Sequence, residues 1–281
     1  MSTPSPSSPT VLVTGATGKT GRRVVPLLRA REAAVREGSR RTEPPFDWDD
    51  AGTWGAALAG VDVVYVVMPD LGDGAAVERT AAFARQAAAA GVGRAVLVSV
   101  PAGGGMDDGV VAATEDGFTD AGLAPTVLRL RSFFQNFTED FFADAVAEGV
   151  LRVPAGQGRE AFVDADDIAA VAVEALLDPT HAGRSYEITG PQAFSFADLA
   201  STISEQTGRA TTYEALSPEE YVDDQVCHGV PVELAELLGG LYEQIAAGAL
   251  DSVSGDVEAV LGRPPRTFAA FARAEMAPVV A

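Results

Sequence analysis

Three glycines spaced three residues apart, at positions 15, 18 and 21, constrain the fold of this sequence more than any other feature. They follow an apolar run that predicts a strand, and they precede a stretch whose apolar residues share one helix face. In a strand–turn–helix of this kind the main chain approaches a pyrophosphate, and the helix N-terminus attracts its charge. A glycine-rich surface turn is the alternative. We expect a dinucleotide-binding loop with contacts from Gly15, Thr17, Gly18, Lys19, Thr20 and Gly21.

The charge of the chain narrows the classes of partner. Its 40 acidic and 20 basic residues give a net charge of −20, which repels nucleic acids and anionic membranes.

The single cysteine, Cys227, forbids an intramolecular disulfide and is typical of a reducing compartment. No stretch has the roughly 20 apolar residues of a membrane span. We expect a cytoplasmic protein, a monomer or homodimer, without a metal site and with no nucleic-acid or membrane partner.

Predicted strands and helices alternate from Thr10 to Leu130, and this order is typical of an α/β Rossmann fold with a doubly wound parallel sheet. Residues 10–155 are expected to form the NAD(P)-binding domain. Residues 156–281 are expected to form a smaller, mainly helical substrate lobe, with a strand at 184–189 joining the main sheet. Residues 1–9, rich in Ser, Thr and Pro, are expected to be a disordered tail.

The residues after the second predicted strand indicate which dinucleotide binds. At this position an acidic residue selects the free 2′-hydroxyl of NAD, and an arginine accommodates the 2′-phosphate of NADP. Ser39, Arg40 and Arg41 therefore favour NADP. Glu37 would favour NAD if the strand ended two residues earlier. A solvated turn is the alternative without a ligand.

Two later segments are candidates for the site. The Met68-Pro69-Asp70 loop leaves the carboxyl end of a buried strand, where open α/β folds bind ligands. Five phenylalanines lie between positions 133 and 142, and their spacing predicts one helical stripe, either core packing or an apolar wall beside the nicotinamide. The substrate candidates are Phe133, Phe134, Asn136 and Phe137, with Tyr221, His228 and Tyr242 from the helical lobe. Asp164 or Asp166 is expected to cap a helix, which makes these carboxylates structural and not catalytic.

Several motifs together resemble the NmrA-like branch of the atypical short-chain dehydrogenases. They are the glycine loop, the 130–137 segment, Phe162-Val163-Asp164-Ala165-Asp166-Asp167-Ile168, and Thr189-Gly190-Pro191. More narrowly, Pro45-Phe46-Asp47-Trp48 and the segment 262–268 are similar to the ergot-alkaloid reductases of the festuclavine and agroclavine dehydrogenase type. The resemblance implies NAD(P) contacts at the glycine loop, Ser39, Arg40, Met68 and Pro69, and near Ser99 and Val100.

The chain departs from ordinary short-chain dehydrogenases in its proton donor. Their Tyr-x-x-x-Lys pair cannot occur here, because the only lysine is Lys19. Asp107, Asp108 and Glu115 occupy the corresponding region and are the candidates for the acid. We expect an NADPH-dependent reductase of a hydrophobic, electron-poor small molecule, such as a cyclic iminium, an enone or a quinone, because these acceptors mainly need a positioned hydride. A catalytically silent NADP sensor and a non-redox isomerase or cyclase are the alternatives.

Overall fold

The computed structural model describes residues 8–69, 71, 73–103, 106–139 and 142–277. Most of the predicted tail (residues 1–7), Asp70 and Phe141 lie outside the described residues. Contacts divide the chain into two compact units that interleave along the sequence. The first unit is Met1–Val100, Met106–Leu130 and Ile168–Glu187, and the second is Pro101–Gly105, Arg131–Asp167 and Ile188–Ala281. The domain boundary near residue 155 stays a prediction.

Strands and helices alternate up to Leu130, as predicted. In chain order the elements are β1 (Thr10–Thr14), α1 (Gly21–Ala30), β2 (Ala34–Gly38), α2 (Trp54–Leu58), β3 (Val63–Val67), α3 (Gly74–Ala89), β4 (Arg94–Ser99), α4 (Asp108–Asp120), β5 (Ala124–Leu130), α5 (Asn136–Glu139), α6 (Ala143–Glu148), β6 (Val150–Val153), α7 (Ala165–Leu177), β7 (Ser185–Ile188), α8 (Phe196–Thr207), β8 (Thr212–Ala215), α9 (Pro218–Cys227), α10 (Val232–Ala246), α11 (Asp256–Leu261) and α12 (Phe268–Phe271).

The main sheet has the strand order β2-β1-β3-β4-β5-β7. The neighbours β1 and β2, β1 and β3, β3 and β4, and β4 and β5 are parallel. Because β2 and β3 lie on opposite sides of β1, the chain changes direction across the sheet at β1, and a crevice forms at the carboxyl ends of the strands. This is the doubly wound parallel sheet that the sequence predicts.

An aromatic cluster fills part of the core of the first unit. Phe83 of α3 is fully buried, and its ring centroid lies 4.9 Å from that of Trp48 and 5.5 Å from that of Trp54. Phe46 and Phe118 pack on the same ring. The strand β3, Val-Val-Tyr-Val-Val, is apolar throughout because helices cover both faces of a doubly wound parallel sheet.

The second unit contains a two-stranded parallel pair, β6 with β8, and several helices. Local signals set the ends of its clearest helix: Ser195 and Asp198 form a capping box before α8, and Gly208, with φ of +72°, ends it. Its core is built mainly from phenylalanine and tyrosine rings. None of the helices in the described part of the chain has the length and apolar content that a bilayer span requires.

Candidate functional site

The glycine loop connects β1 to α1 through backbone that only glycine fits. Gly15 has φ of +63°, a conformation that L side chains rarely adopt. A Cβ at Gly21 would lie 2.2 Å from the carbonyl oxygen of Gly15 and 2.8 Å from Cα of Ala16. The amide of Gly18 donates to the Gly15 carbonyl over 2.9 Å and closes the turn. The loop is therefore fixed by backbone packing, with Thr17 and Gly18 exposed at its tip.

A buried threonine fixes the position from which this loop starts. The Thr14 hydroxyl donates to the carbonyl of Tyr65 over 3.0 Å and accepts the amide of Val67 over 3.0 Å. These two bonds clamp the end of β1 to the end of β3. A Cβ at Gly15 would lie 3.2 Å from Cβ of Val67, so the loop leaves the sheet in close contact with β3.

The helix that follows provides a favourable place for an anion. Thr20 occupies the N-cap of α1, and its side chain makes no capping hydrogen bond to the helix. The first turn of α1 contains no acidic residue, so the partial positive charge of the helix N-terminus is not cancelled there. Lys19, in the same loop, adds a full positive charge. This combination suits a pyrophosphate.

The strand β2 ends at Gly38, directly before the predicted ribose-recognition residues. The Ser39 hydroxyl accepts the amide of Arg41 over 3.2 Å, and the Thr42 hydroxyl donates to the Ser39 carbonyl over 2.8 Å. This turn presents Arg40 and Arg41 as exposed side chains. Glu37 lies inside the strand, opposite Val13, and not at its tip.

Two further predicted segments lie at the same edge of the sheet. Met68 and Pro69 follow β3, and Ser99 and Val100 stand at the end of β4. Because the strands are parallel, their carboxyl ends meet at one edge, together with the glycine loop and the turn after β2. The first unit thus brings all thirteen predicted cofactor contacts to the ends of four adjacent strands.

The predicted acid candidates have structural partners. Asp107 caps α4, and its carboxylate accepts the amides of Gly109 and Val110. Asp108 stands in the first turn of that helix. Glu115 is buried: one carboxylate oxygen accepts the Ser99 hydroxyl over 2.6 Å, and the other is paired with Arg129 over 2.8 Å. These contacts hold Glu115 in place as a structural ion pair, and a proton-donor role for it stays a prediction.

The predicted helical stripe of phenylalanines is wrong for Phe133 and Phe134. Phe133 forms a β-bridge with Val163, and the Phe134 amide donates to the Val163 carbonyl over 2.9 Å. The buried Gln135 side chain continues this connection, donating to Asp164 and accepting the amide of Ala165. A backbone held in this isolated bridge does not continue a helix, and α5 begins only at Asn136.

The four predicted substrate residues of this segment differ in burial. Phe134 and Phe137 are 0% and 1% exposed, and both pack on Phe268. They belong to the core of the second unit. Phe133 and Asn136 are partly exposed. Contact of any of the four with a substrate stays a prediction. Asp164 stands directly before α7 and accepts the amide of Asp166, which confirms the predicted cap.

The remaining three substrate candidates meet in one place. Tyr221, His228 and Tyr242 line a cavity of about 330 Å³ in the second unit, which we call the α9–α10 cavity. Its lining also includes Phe142, Asp144, Ala145, Glu148, Val150, Arg152, Val153, Asp224, Gln225 and Val230. A cavity of this volume is large enough for a small organic molecule.

Aromatic rings form the buried wall of the α9–α10 cavity. The Tyr221 and Tyr242 ring centroids lie 5.2 Å apart with planes at 74°, and Phe142 packs beside Tyr242. Burial raises the pKa of the Tyr242 phenol well above its ordinary value, and it raises the pKa of Tyr221 in the same direction. Both phenols therefore stay protonated and neutral.

Sequence reasoning missed the carboxylates of this cavity. Asp144 and Glu148 are four residues apart on α6, so they share one face of that helix, and Asp224 occupies α9. The spacing of the first pair was a detectable signal. Their convergence with Asp224 was not, because it depends on how α6 and α9 pack.

Comparisons with known proteins find relatives that match this chain along nearly its whole length. The sequence model of the NmrA-like family matches residues 46–272. An NAD(P)H azoreductase from Xenophilus azovorans is 35% identical over 95% of this chain and 98% of its own. Agroclavine dehydrogenase from Claviceps fusiformis is 30% identical over 93% of this chain and 96% of its own.

A solved structure shares the fold. The NADPH-dependent quinone oxidoreductase of Escherichia coli superimposes with a TM-score of 0.80 and 25% identity, covering 93% of this chain and 98% of that protein. These comparisons confirm the resemblance inferred from the motifs.

Proposed function

The chain belongs to the NmrA-like family, and on that premise we propose that it is an NADPH-dependent reductase of hydrophobic, electron-poor small molecules. The observation that carries this proposal is the convergence of the glycine loop, the turn after β2 and the ends of β3 and β4 at one edge of the sheet. That edge lies where the strand order reverses, which is where open α/β sheets bind dinucleotides.

The residues at this edge fit the separate parts of NADPH. The closely packed loop at Gly15 and Gly21 and the N-terminus of α1 would hold the pyrophosphate, with Lys19 adding a positive charge. Arg40 and Arg41, exposed after β2, would hold the 2′-phosphate. Among the relatives, the names NAD(P)H azoreductase and NADPH-dependent quinone oxidoreductase support this cofactor.

The chemistry follows from what the chain lacks. Bound NADPH would supply a hydride. The only lysine of the sequence, Lys19, belongs to the proposed phosphate loop, so no Tyr-x-x-x-Lys pair protonates the product. An iminium carbon needs no proton, because the hydride alone neutralises it. A quinone, an enone or an azo bond takes one proton in addition, for which water suffices once the acceptor has received the hydride. The names azoreductase, agroclavine dehydrogenase and quinone oxidoreductase among the relatives support such acceptors.

We assign acceptor binding to the second unit. The α9–α10 cavity offers Phe142, Tyr221 and Tyr242 as apolar ring surface. His228 stands at its rim, where its Nδ1 donates to the Asp224 carbonyl over 2.7 Å. Aromatic ring surface is a usual component of a site for a small hydrophobic molecule, and in this cavity charged side chains lie beside it.

The test is a turnover assay of the purified protein. NADPH oxidation is followed with a quinone, an azo dye and a cyclic iminium salt as acceptors, and NADH is compared under the same conditions. We expect turnover with at least one acceptor and a lower KM for NADPH than for NADH. NADPH binding without turnover on any acceptor would overturn the reductase assignment and favour a dinucleotide sensor.

A further inference from the structure

We propose that the α9–α10 cavity selects organic cations over neutral and anionic molecules of the same size. The inference rests on the proposed function for its link to catalysis, and it names the class of acceptor: a positively charged aromatic or iminium compound. The observations that carry it are the charges at the rim, the rings of the wall and the volume of the cavity.

The rim of the cavity is predominantly acidic. Asp144, Glu148 and Asp224 line it, against one guanidinium, that of Arg152. Arg152 is already paired, with Nε 2.9 Å from Glu214 and Nη1 3.8 Å from Glu148. Its charge is therefore compensated by carboxylates, and Asp144 and Asp224 keep the rim negative. The net charge of −20 on the whole chain adds attraction for cations at long range.

The wall of the cavity suits a cation with a delocalised charge. The face of an aromatic ring attracts cations through its quadrupole, and cages of several rings recognise quaternary ammonium groups. Phe142, Tyr221 and Tyr242 are 7%, 3% and 5% exposed. The two tyrosine rings pack edge to face with their planes at 74°, and both line the cavity. An acidic rim beside these rings offers both kinds of contact at once.

The volume sets the size of the ligand. A cavity of about 330 Å³ accommodates a bicyclic or tricyclic compound. Neutral molecules of this size would gain the ring contacts alone, and anions would be repelled by the rim.

The experiment measures binding of three matched probes without NADPH: N-methylquinolinium, methylnaphthalene and naphthalene sulfonate. They share a bicyclic frame and differ in charge. We expect the cation to bind about tenfold more tightly than the neutral probe, the equivalent of about 1.4 kcal/mol, and the advantage to shrink as salt is added. Equal or tighter binding of the neutral probe would overturn the proposal.

Variants of the lining residues test which side chains cause the preference for the cation. Asp144→Asn combined with Asp224→Asn should abolish most of the preference for the cation. The matched control is Asp223→Asn, because Asp223 is the adjacent carboxylate on α9 and does not line this cavity. Tyr221→Leu should weaken the cation about tenfold, whereas Tyr221→Phe, which keeps the ring, should not. Equal effects of Asp223→Asn and the double variant, or of Tyr221→Leu and Tyr221→Phe, would contradict the assignment.

The outcomes separate the two proposals. Selective binding of the cation without NADPH oxidation would support the cavity and reject the reductase. Oxidation of NADPH with neutral quinones, together with no charge preference in binding, would support the reductase and reject the cavity's selectivity.

Discussion

Arg29 of α1 and Glu37 of β2 form an ion pair, with Nη2 and Oε1 2.6 Å apart. Glu37 is the residue that would favour NAD if it lay at the ribose. Its position inside β2, which continues to Gly38, and its contact with Arg29 direct its carboxylate to the first helix. The turn after Gly38 carries the exposed side chains of Arg40 and Arg41 instead, which fits the proposed NADP site.

Replacing Arg40 by alanine should weaken NADPH binding by about tenfold to a hundredfold, because a charge-assisted hydrogen bond to the 2′-phosphate contributes roughly 1.5–3 kcal/mol. NADH lacks that phosphate, so its Kd should change little. Titration of both dinucleotides measures the difference. Arg85→Ala, at an exposed arginine of α3, is the control. Equal losses for NADPH and NADH would reject the assignment of Arg40.

Gly21→Ala should disrupt the phosphate loop, because the new Cβ would lie 2.2 Å from the carbonyl oxygen of Gly15 and the backbone must move. We expect a loss of NADPH affinity of at least about tenfold, the equivalent of one lost phosphate contact. Gly240→Ala in α10 is the control: its Cβ would meet no atom within 4 Å. That variant should gain up to about 1 kcal/mol of helix stability. Unchanged NADPH binding in Gly21→Ala would contradict the loop assignment.

Phe134→Ala should destabilise the protein by about 3–5 kcal/mol, because it leaves a cavity in a closely packed core. The Phe134 ring centroid lies 5.1 Å from that of Phe268 and 5.5 Å from that of Phe271. Urea denaturation measures the loss. Val226→Ala, at a side chain that is 44% exposed, should change the free energy of unfolding by less than about 0.5 kcal/mol. Wild-type stability with a raised KM for the acceptor would instead make Phe134 part of the substrate wall.

The fold of the glycine loop was predictable because its signals are local. The glycine spacing, the apolar strand before it and the amphipathic helix after it lie within 20 residues of sequence and require no tertiary information. The same is true of the helix cap at Asp164. The parallel, doubly wound character of the sheet was predictable from the alternation of strands and helices, since parallel strands need crossover connections.

The second unit was less predictable because its geometry depends on distant partners. The phenylalanine spacing matched a helix. However, the Gln135 side chain forms hydrogen bonds with Asp164 and Ala165, about thirty residues later. These bonds lie next to the β-bridge between Phe133 and Val163. The first unit holds a similar case, because the Glu115 ion pair needs Arg129 on another element. The spacing of residues within one segment cannot reveal contacts with distant segments.

Glu160 should make stability depend on pH. It is 2% exposed; burial raises the pKa of its carboxyl, and the Ser132 amide and the charge of Arg131 oppose that shift only in part. Because the folded state binds this proton more tightly than the unfolded chain does, the contribution of Glu160 to stability is full below the ordinary glutamate pKa. That contribution is lost as pH rises through the raised pKa.

Glu160→Gln removes the titration and keeps an oxygen for the Ser132 amide, which the native Oε1 accepts over 2.9 Å. Relative to the wild type, the variant should therefore become more stable as pH rises from the acidic range to neutrality. Urea unfolding across that range measures the trend. Glu236→Gln, at an exposed carboxylate of α10, controls for the lost charge. Parallel pH profiles for Glu160→Gln and the wild type would contradict this account.

The most direct test of the reductase assignment is isotope transfer from NADPH carrying deuterium at nicotinamide C4. The purified protein is incubated with this cofactor and, in turn, an iminium salt, an enone, a quinone and an azo dye, and the products are analysed by mass spectrometry and NMR. We predict that deuterium appears at the reduced carbon of the iminium or enone product, with one NADPH consumed for each product formed. Tight NADPH binding with no consumption and no labelled product from any acceptor would contradict the assignment.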